Sequence, residues 1–225
     1  MNAAVRALLF DLDGTLVDSA PDMAAAVNRV LAEEGLPVAS LERVRHWVGN
    51  GGRELVRRAL AAGGDAAPGE DRVEAALQRF LHVYGERLCV DSALYPGCRS
   101  GLEQLRGDGY ALACVTNKPE GLARRLLAAL DLDGLLPVVV GGDTVDRRKP
   151  DPAPLHHAMA ELGVVPAETL MIGDSRADVE GGRNAGCRVV CVPYGYSQGT
   201  AVEALGPDLV VGSIEELRRR LRGAA

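Results

Sequence analysis

The sequence predicts an α/β fold, a doubly wound parallel sheet carrying a small helical insert. Three observations predict it. A short apolar run, Val5 to Phe10 broken only by Arg6, reads as a buried strand and leads directly into Asp11-Leu12-Asp13-Gly14-Thr15. Residues 19 to 90 then show the apolar spacing of helices and no strand pattern. From Tyr95-Pro96-Gly97 onward, short apolar runs alternate with helical patterns, which implies parallel strands joined by right-handed crossovers.

The first strand ends in two carboxylates, Asp11 and Asp13, and Gly14 lets the backbone turn sharply after them. Carboxylates this close repel unless a cation or a shared proton compensates. Asp-x-Asp-Gly therefore reads either as a site for a hard cation such as Mg²⁺ or as a turn whose side chains bond their own backbone. Ser19 reads as a helix cap, with Pro21 in the first turn and Asp22 three residues on, ahead of Met23, Ala26, Val27, Val30 and Leu31. Gly35 stops that helix. Ser40 opens a second helix through Leu41, Val44 and Val48, which Gly49-Asn50-Gly51-Gly52 interrupts. Leu55, Val56, Ala59 and Leu60 mark a third, and Val73, Leu77, Phe80, Leu81 and Tyr84 a fourth. Four helices in an α/β chain read as a small bundle, so the expected division is a core of residues 1–17 and 91–225 with an insert of 18–90.

Beyond the insert, Leu102 and Leu105 mark a helix, and Tyr110 to Val115 a strand that closes on Thr116-Asn117-Lys118-Pro119. Leu122, Leu126, Leu127 and Leu130 form the next helix, followed by the strand Val138 to Val140. Leu155, Met159 and Leu162 lie on a helix, and Thr169 to Ile172 on a strand closing on Gly173-Asp174-Ser175. A helix over Ala177 to Ala185, strands at Val189 to Val192 and Leu209 to Val211, and a helix with Ile214, Leu217 and Leu221 complete the chain.

The 225 residues are 47% hydrophobic and 25% charged, enough for one large domain with an insert. A net charge of −6 argues against nucleic acid or an anionic membrane as partner, and 4% aromatic residues leave little surface for stacking bases. No apolar run approaches the roughly 20 residues that span a bilayer. No basic segment leads an apolar one at the N-terminus, so no signal peptide is expected. Cys89, Cys98, Cys114, Cys187 and Cys191 form no Cys-x-x-Cys pair and read as free thiols of a cytoplasmic protein. His46, His82, His156 and His157 match no motif and read as structural or surface residues.

In a parallel sheet the strand ends share one edge, where ligands bind. Four fragments fall there. Asp11-x-Asp13 is the first. Thr116-Asn117 has a hydroxyl and amides suited to phosphate oxygens, or to an ordinary helix cap. Lys149 lies in the proline-stiffened loop Lys149-Pro150-Asp151-Pro152, either aimed into the site or solvated. Asp174 stands at a strand tip with Asp178 one helical turn on, where either can also serve as a cap.

In this order the fragments resemble the motifs of the haloacid dehalogenase superfamily of phosphotransferases, over essentially the whole chain. Asp11-Leu12-Asp13-Gly14-Thr15-Leu16 matches the first motif, Thr116-Asn117 the second, Lys149 the third, and Gly173-Asp174 with Asp178 the fourth. The insert resembles that superfamily's type-1 cap on a Rossmann-like core. Trp47-Val48-Gly49-Asn50-Gly51, Tyr95-Pro96-Gly97, Gly141-Gly142-Asp143, Thr116-Asn117-Lys118-Pro119 and Pro193-Tyr194-Gly195-Tyr196 look most like a group within it, the bacterial phosphoglycolate phosphatases.

The resemblance implies a phosphomonoester hydrolase acting on a small phosphorylated metabolite, as a monomer or homodimer. Asp11 would be the nucleophile, forming an aspartyl-phosphate, and Asp13 the general acid and base. Mg²⁺ would be held by Asp11, Asp174 and the backbone carbonyl of Asp13. Lys149, Thr116 and Asn117 would bind the phosphoryl oxygens, and Asp178 would orient Lys149 or a metal-bound water. Gly49, Asn50, Gly51 and Arg53 are expected to face the site from the cap. Arg53 and Lys118 are the candidates for a substrate carboxylate. The rival readings are a sugar-phosphate phosphatase, a pyrophosphatase, a sugar phosphomutase and a non-catalytic binding protein. Asp13 disfavours a dehalogenase, whose chemistry has no alkoxide to protonate.

Overall fold

Strand β1 (Ala7–Phe10) lies at the middle of the sheet because its four side chains are all apolar and all fully buried. The structure, a computed structural model, describes residues 4–223, so the expected outer boundaries at residues 1 and 225 lie outside it. After β1 come β2 (Val17–Asp18) and four helices, α1 (Ala20–Glu33), α2 (Leu41–Arg45), α3 (Gly52–Ala62) and α4 (Glu70–Glu86). The chain returns through β3 (Ala93–Leu94) and alternates as α5 (Cys98–Gly107), β4 (Ala111–Val115), α6 (Glu120–Ala129), β5 (Val138–Val140) and α7 (Ala153–Leu162). It closes with β6 (Thr169–Gly173), α8 (Arg176–Asn184), β7 (Arg188–Cys191), β8 (Leu209–Val210) and α9 (Ile214–Gly223).

Six strands form one parallel sheet in the order β5-β4-β1-β6-β7-β8. This is the doubly wound α/β fold expected. The strand order reverses beside β1, and a cavity lined by Asp11, Asp13 and Thr116 lies beyond the C-terminal ends of β1 and β4. Alternate residues serve the two faces. Leu8, Phe10, Leu112, Cys114 and Ile172 face one core, while Leu9, Ala113, Val115, Met171 and Val189 face the other, beneath α7 and α8.

Helices α1, α3 and α4 pack through Val27, Leu31, Val56, Leu60, Val73 and Phe80 and add no strand to the sheet. Where the chain leaves and re-enters, β2 and β3 pair antiparallel, Val17 with Leu94 and Asp18 with Ala93. These two-residue strands, and the 3₁₀ turns at Pro166–Glu168 and Val202–Leu205, are too short for a periodicity to show in sequence. Two local expectations are corrected. Helix α2 ends at Arg45, so Val48 lies in the turn after it. Ser19 precedes α1 without capping it, and Asp22 has another task. The Asp22 carboxylate, 0% exposed, accepts the amides of Val90, Asp91 and Ser92 at 2.9–3.1 Å, so it pins the returning segment to α1. Among the described residues no helix is long and apolar enough to cross a membrane. All five cysteines are free, and all but Cys89 are buried.

Candidate active site

Asp11, Thr116 and Asp174 follow or end the tips of three adjacent strands, β1, β4 and β6, which brings them to one edge. Gly14 has φ +90°, and a Cβ there would run into the Asp174 carboxylate and the Tyr196 ring. Only glycine allows the Asp11–Thr15 turn to press this closely against Asp174.

Lys149 is nearly sealed, its side chain 1% exposed. Its Nζ donates to the Val115 carbonyl at 2.6 Å and to Asp178 Oδ1 at 2.7 Å, and stands 3.0 Å from Asp11 Oδ1. Burial alone would push its ammonium down, but Asp11 and Asp178 outweigh that and raise it. Asp178 is committed at both oxygens. Oδ2 accepts the amides of Asp174 and Ser175 at 3.2 and 3.0 Å and the Ser175 hydroxyl at 2.6 Å, closing the first turn of α8.

Asp11 is 5% exposed. Lys149 reaches its Oδ1 by distance but not at a hydrogen-bonding angle, so this buried oxygen has no hydrogen-bond partner. Burial raises the Asp11 carboxyl to about 6, with Lys149 pulling the other way. Asp174 takes the Thr15 hydroxyl on Oδ1 and the Tyr196 amide on Oδ2, both at 2.6 Å. Burial, then the charges of Asp178 and Asp11, hold it well above the usual carboxylate range. Asp11, Asp174 and Asp178 each place a carboxylate oxygen within 4.8 Å of the others. Clustered buried oxygens, one without a donor, fit a divalent cation, whose charge would relieve the repulsion that raises these groups. Asp178 is ion-paired to Lys149 and closes α8, whereas Asp174 accepts only a hydroxyl and an amide and Asp11 Oδ1 has no donor, so Asp11 and Asp174 are the carboxylates that could hold a metal.

Asp13 points into the neighbouring cavity. Its Oδ1 accepts the Ser19 hydroxyl at 2.6 Å, and Lys118 Nζ holds Oδ1 at 2.9 Å and Oδ2 at 3.0 Å. Lys118 is 5% exposed; burial would lower its ammonium, but the charge of Asp13 outweighs that and raises it. Thr116 is buried, and its Oγ1 accepts the Lys118 amide at 3.3 Å. Asn117 Nδ2 donates to the carbonyls of Gly49 and Lys149 at 3.2 and 3.1 Å, and its Oδ1 is buried without a partner. Gly49 and Gly51, before α3, and Gly52, its first residue, line the cavity.

Two expected residues are not brought here. Asn50 is exposed and does not line the cavity. Arg53 pairs with Glu74 and Glu70 on α4, because their carboxylates stand across the helix pair from it. Arg53→Ala should therefore change turnover and KM by less than about twofold and cost at most about 1 kcal/mol of stability, as half-exposed ion pairs do. A tenfold KM rise in steady-state assays would put Arg53 back at the substrate.

The structure adds Thr15, Ser19, Tyr196 and Tyr84, whose hydroxyl accepts Lys118 Nζ at 2.7 Å in the cavity wall, to the site residues the motifs assign. Thr15 and Ser19 had a visible signal, hydroxyls within the Asp11–Ser19 stretch. Tyr84 had a weaker one, a phenol in an otherwise apolar helical stripe, where a buried tyrosine usually has a partner for its hydroxyl. Tyr196 had only its place in Pro193-Tyr194-Gly195-Tyr196, which assigns it no role, and the fold lays its amide on Asp174.

A doubly wound sheet whose strand tips gather a buried carboxylate, a lysine and an acidic cluster has the arrangement of an α/β enzyme. The family model for haloacid dehalogenase-like hydrolases matches residues 8–192, and the chain belongs to that family. A protein of Pseudomonas putida named phosphoglycolate phosphatase is 47% identical over 221 residues, 98% of this chain and 80% of the relative. One of Nitrosospira multiformis with the same name is 41% identical over 97% of this chain and 96% of the relative. The crystal structure of a predicted phosphoglycolate phosphatase from Haemophilus somnus superposes with a TM-score of 0.90 at 36% identity, covering 96% of this chain and 97% of that one.

Proposed function

We propose that this enzyme hydrolyses 2-phosphoglycolate to glycolate and phosphate with Mg²⁺, in the cytoplasm, and that residues 18–90 form a cap over a core of 1–17 and 91–225. The observation that carries the chemistry is the buried Asp11 Oδ1, without a hydrogen-bond donor, beside Lys149 and clustered with Asp174, on a residue that lines the cavity. The names of relatives 41–47% identical over nearly the whole chain support the substrate.

Asp11 would attack phosphorus in line, forming an acyl phosphate and releasing the alkoxide of glycolate. Asp13 would protonate that alkoxide and then take a proton from the water that hydrolyses the intermediate. Ser19 and Lys118 would hold Asp13 apart from Asp11 and aimed into the cavity. Lys149, itself held by Asp178, would face the transferring phosphoryl oxygens together with Thr116 and the Asn117 amide. Mg²⁺ held by Asp11, Asp174 and the Asp13 carbonyl would supply positive charge to nucleophile and phosphate together.

Phosphate release from 2-phosphoglycolate, β-glucose 1-phosphate, pyrophosphate and several sugar phosphates tests this. The expected result is a clear preference for 2-phosphoglycolate, abolished by a chelator and restored by Mg²⁺. A preferred sugar phosphate would discard the substrate and keep the mechanism. Release that survives metal removal would discard the metal.

A further inference from the structure

Tyr84 comes from α4, with its ring stacked on Phe80 at 5.6 Å between centroids, and is 2% exposed. Burial pushes its hydroxyl up to about 12, so the group is a neutral phenol. A neutral phenol accepts and donates. Its oxygen accepts Lys118 Nζ at 2.7 Å, and among the described residues its own O–H has no acceptor. This hydroxyl lines the cavity that Asp11, Asp13 and Thr116 also line.

Lys118 is the one cation among the residues lining that cavity. Lys149 does not line the cavity, and its ammonium is turned to Val115, Asp178 and Asp11. The rest of the wall on the α1–α4 side is apolar, through Met23, Val48, Leu55 and Phe80. A sugar would set several hydroxyls against that wall without partners. A two-carbon acid would set one carboxylate against one unused donor and one ammonium.

We propose that the Tyr84 hydroxyl and Lys118 Nζ form the subsite for a carboxylate on the leaving group, so that Tyr84 selects phosphorylated small hydroxy acids over neutral phosphate esters. This rests on the 2-phosphoglycolate reading. One donor comes from α4 and the other from the loop after β4, so the bound carboxylate bridges the insert and the sheet. Lys118 at the same time keeps Asp13 beside the departing oxygen.

Tyr84→Phe keeps the ring, its stacking and the cavity wall and removes only the hydroxyl. Its kcat and KM are compared with wild type on 2-phosphoglycolate and on ethyl phosphate, a two-carbon ester without the carboxylate. KM for 2-phosphoglycolate should rise about tenfold, the usual effect of losing a hydrogen bond to a charged group, while values for ethyl phosphate move less than about twofold. A second measurement needs no variant. Glycolate should inhibit wild-type hydrolysis of ethyl phosphate at least about tenfold better than its neutral analogue glycolamide. Equal losses on both esters, no loss on either, or equal inhibition by the two analogues overturns the subsite. A wild type that hydrolyses both esters equally well overturns the substrate assignment and the subsite with it. A selective wild type whose Tyr84→Phe variant loses equally on both esters overturns the subsite alone.

Discussion

Asp11→Asn should abolish phosphate release, a loss on the order of 10⁴-fold or more, as removing a covalent nucleophile does. The substitution keeps the size of the side chain and replaces a carboxylate that burial and two acidic neighbours already disfavour. The folded state should therefore survive, with a melting temperature within a few degrees of wild type, measured beside the kinetics. The cost falls on chemistry: an amide oxygen is a poor nucleophile toward phosphorus and a poor ligand for a hard cation. Residual turnover within tenfold of wild type would move the nucleophile to another residue.

Lys149→Met should damage both stability and rate. Methionine nearly matches the lysine stem in volume, so packing is kept while the charge is lost. Asp178 then loses the partner of its Oδ1, Asp11 loses its one nearby cation, and the Val115 carbonyl loses its donor. Breaking a buried ion pair by removing one member typically costs about 3 to 5 kcal/mol, because the remaining charge stays buried. Urea unfolding should show this loss as a lower midpoint with an unchanged slope. Turnover should fall about 10²- to 10³-fold, the range for removing one preorganised charge donor at a reacting oxyanion. Mg²⁺ should recover part of the lost stability, since a cation bound to the folded state alone stabilises it by mass action. Wild-type stability in this variant would mean that the Lys149–Asp178 pair contributes nothing net to the fold. Wild-type turnover would remove Lys149 from the phosphoryl site.

These two residues also mark what sequence could carry. Asp11 and Lys149 were legible because their neighbours restrict them: a four-residue apolar strand ends just before Asp11, and prolines follow Lys149 on both sides of Asp151. The alternation after Tyr95 likewise required a parallel sheet, since period-2 and period-3.6 patterns of this length have few other ways to bury their faces. Arg53 is the opposite case. A cation one residue beyond a glycine loop has no local constraint on its direction, and Glu74 and Glu70 from another helix decided it. Asp22 misled for a related reason. The spacing after Ser19 fits a helix cap, yet the carboxylate is used by amides 68 to 70 residues away.

By itself the sequence determined the fold class, the succession of elements and the strand-tip acids, all of which rest on local patterning and on turn residues next to strands. Tertiary structure alone decided which donors those acids meet. The Thr15–Asp174, Lys149–Asp178 and Lys118–Asp13 contacts span 159, 29 and 105 residues. The contact between Tyr84 and Lys118 joins a helix of the insert to a strand tip of the sheet. Side-chain partners at such separations are chosen by how helices pack and how the sheet is ordered, and no pattern within one segment encodes that choice.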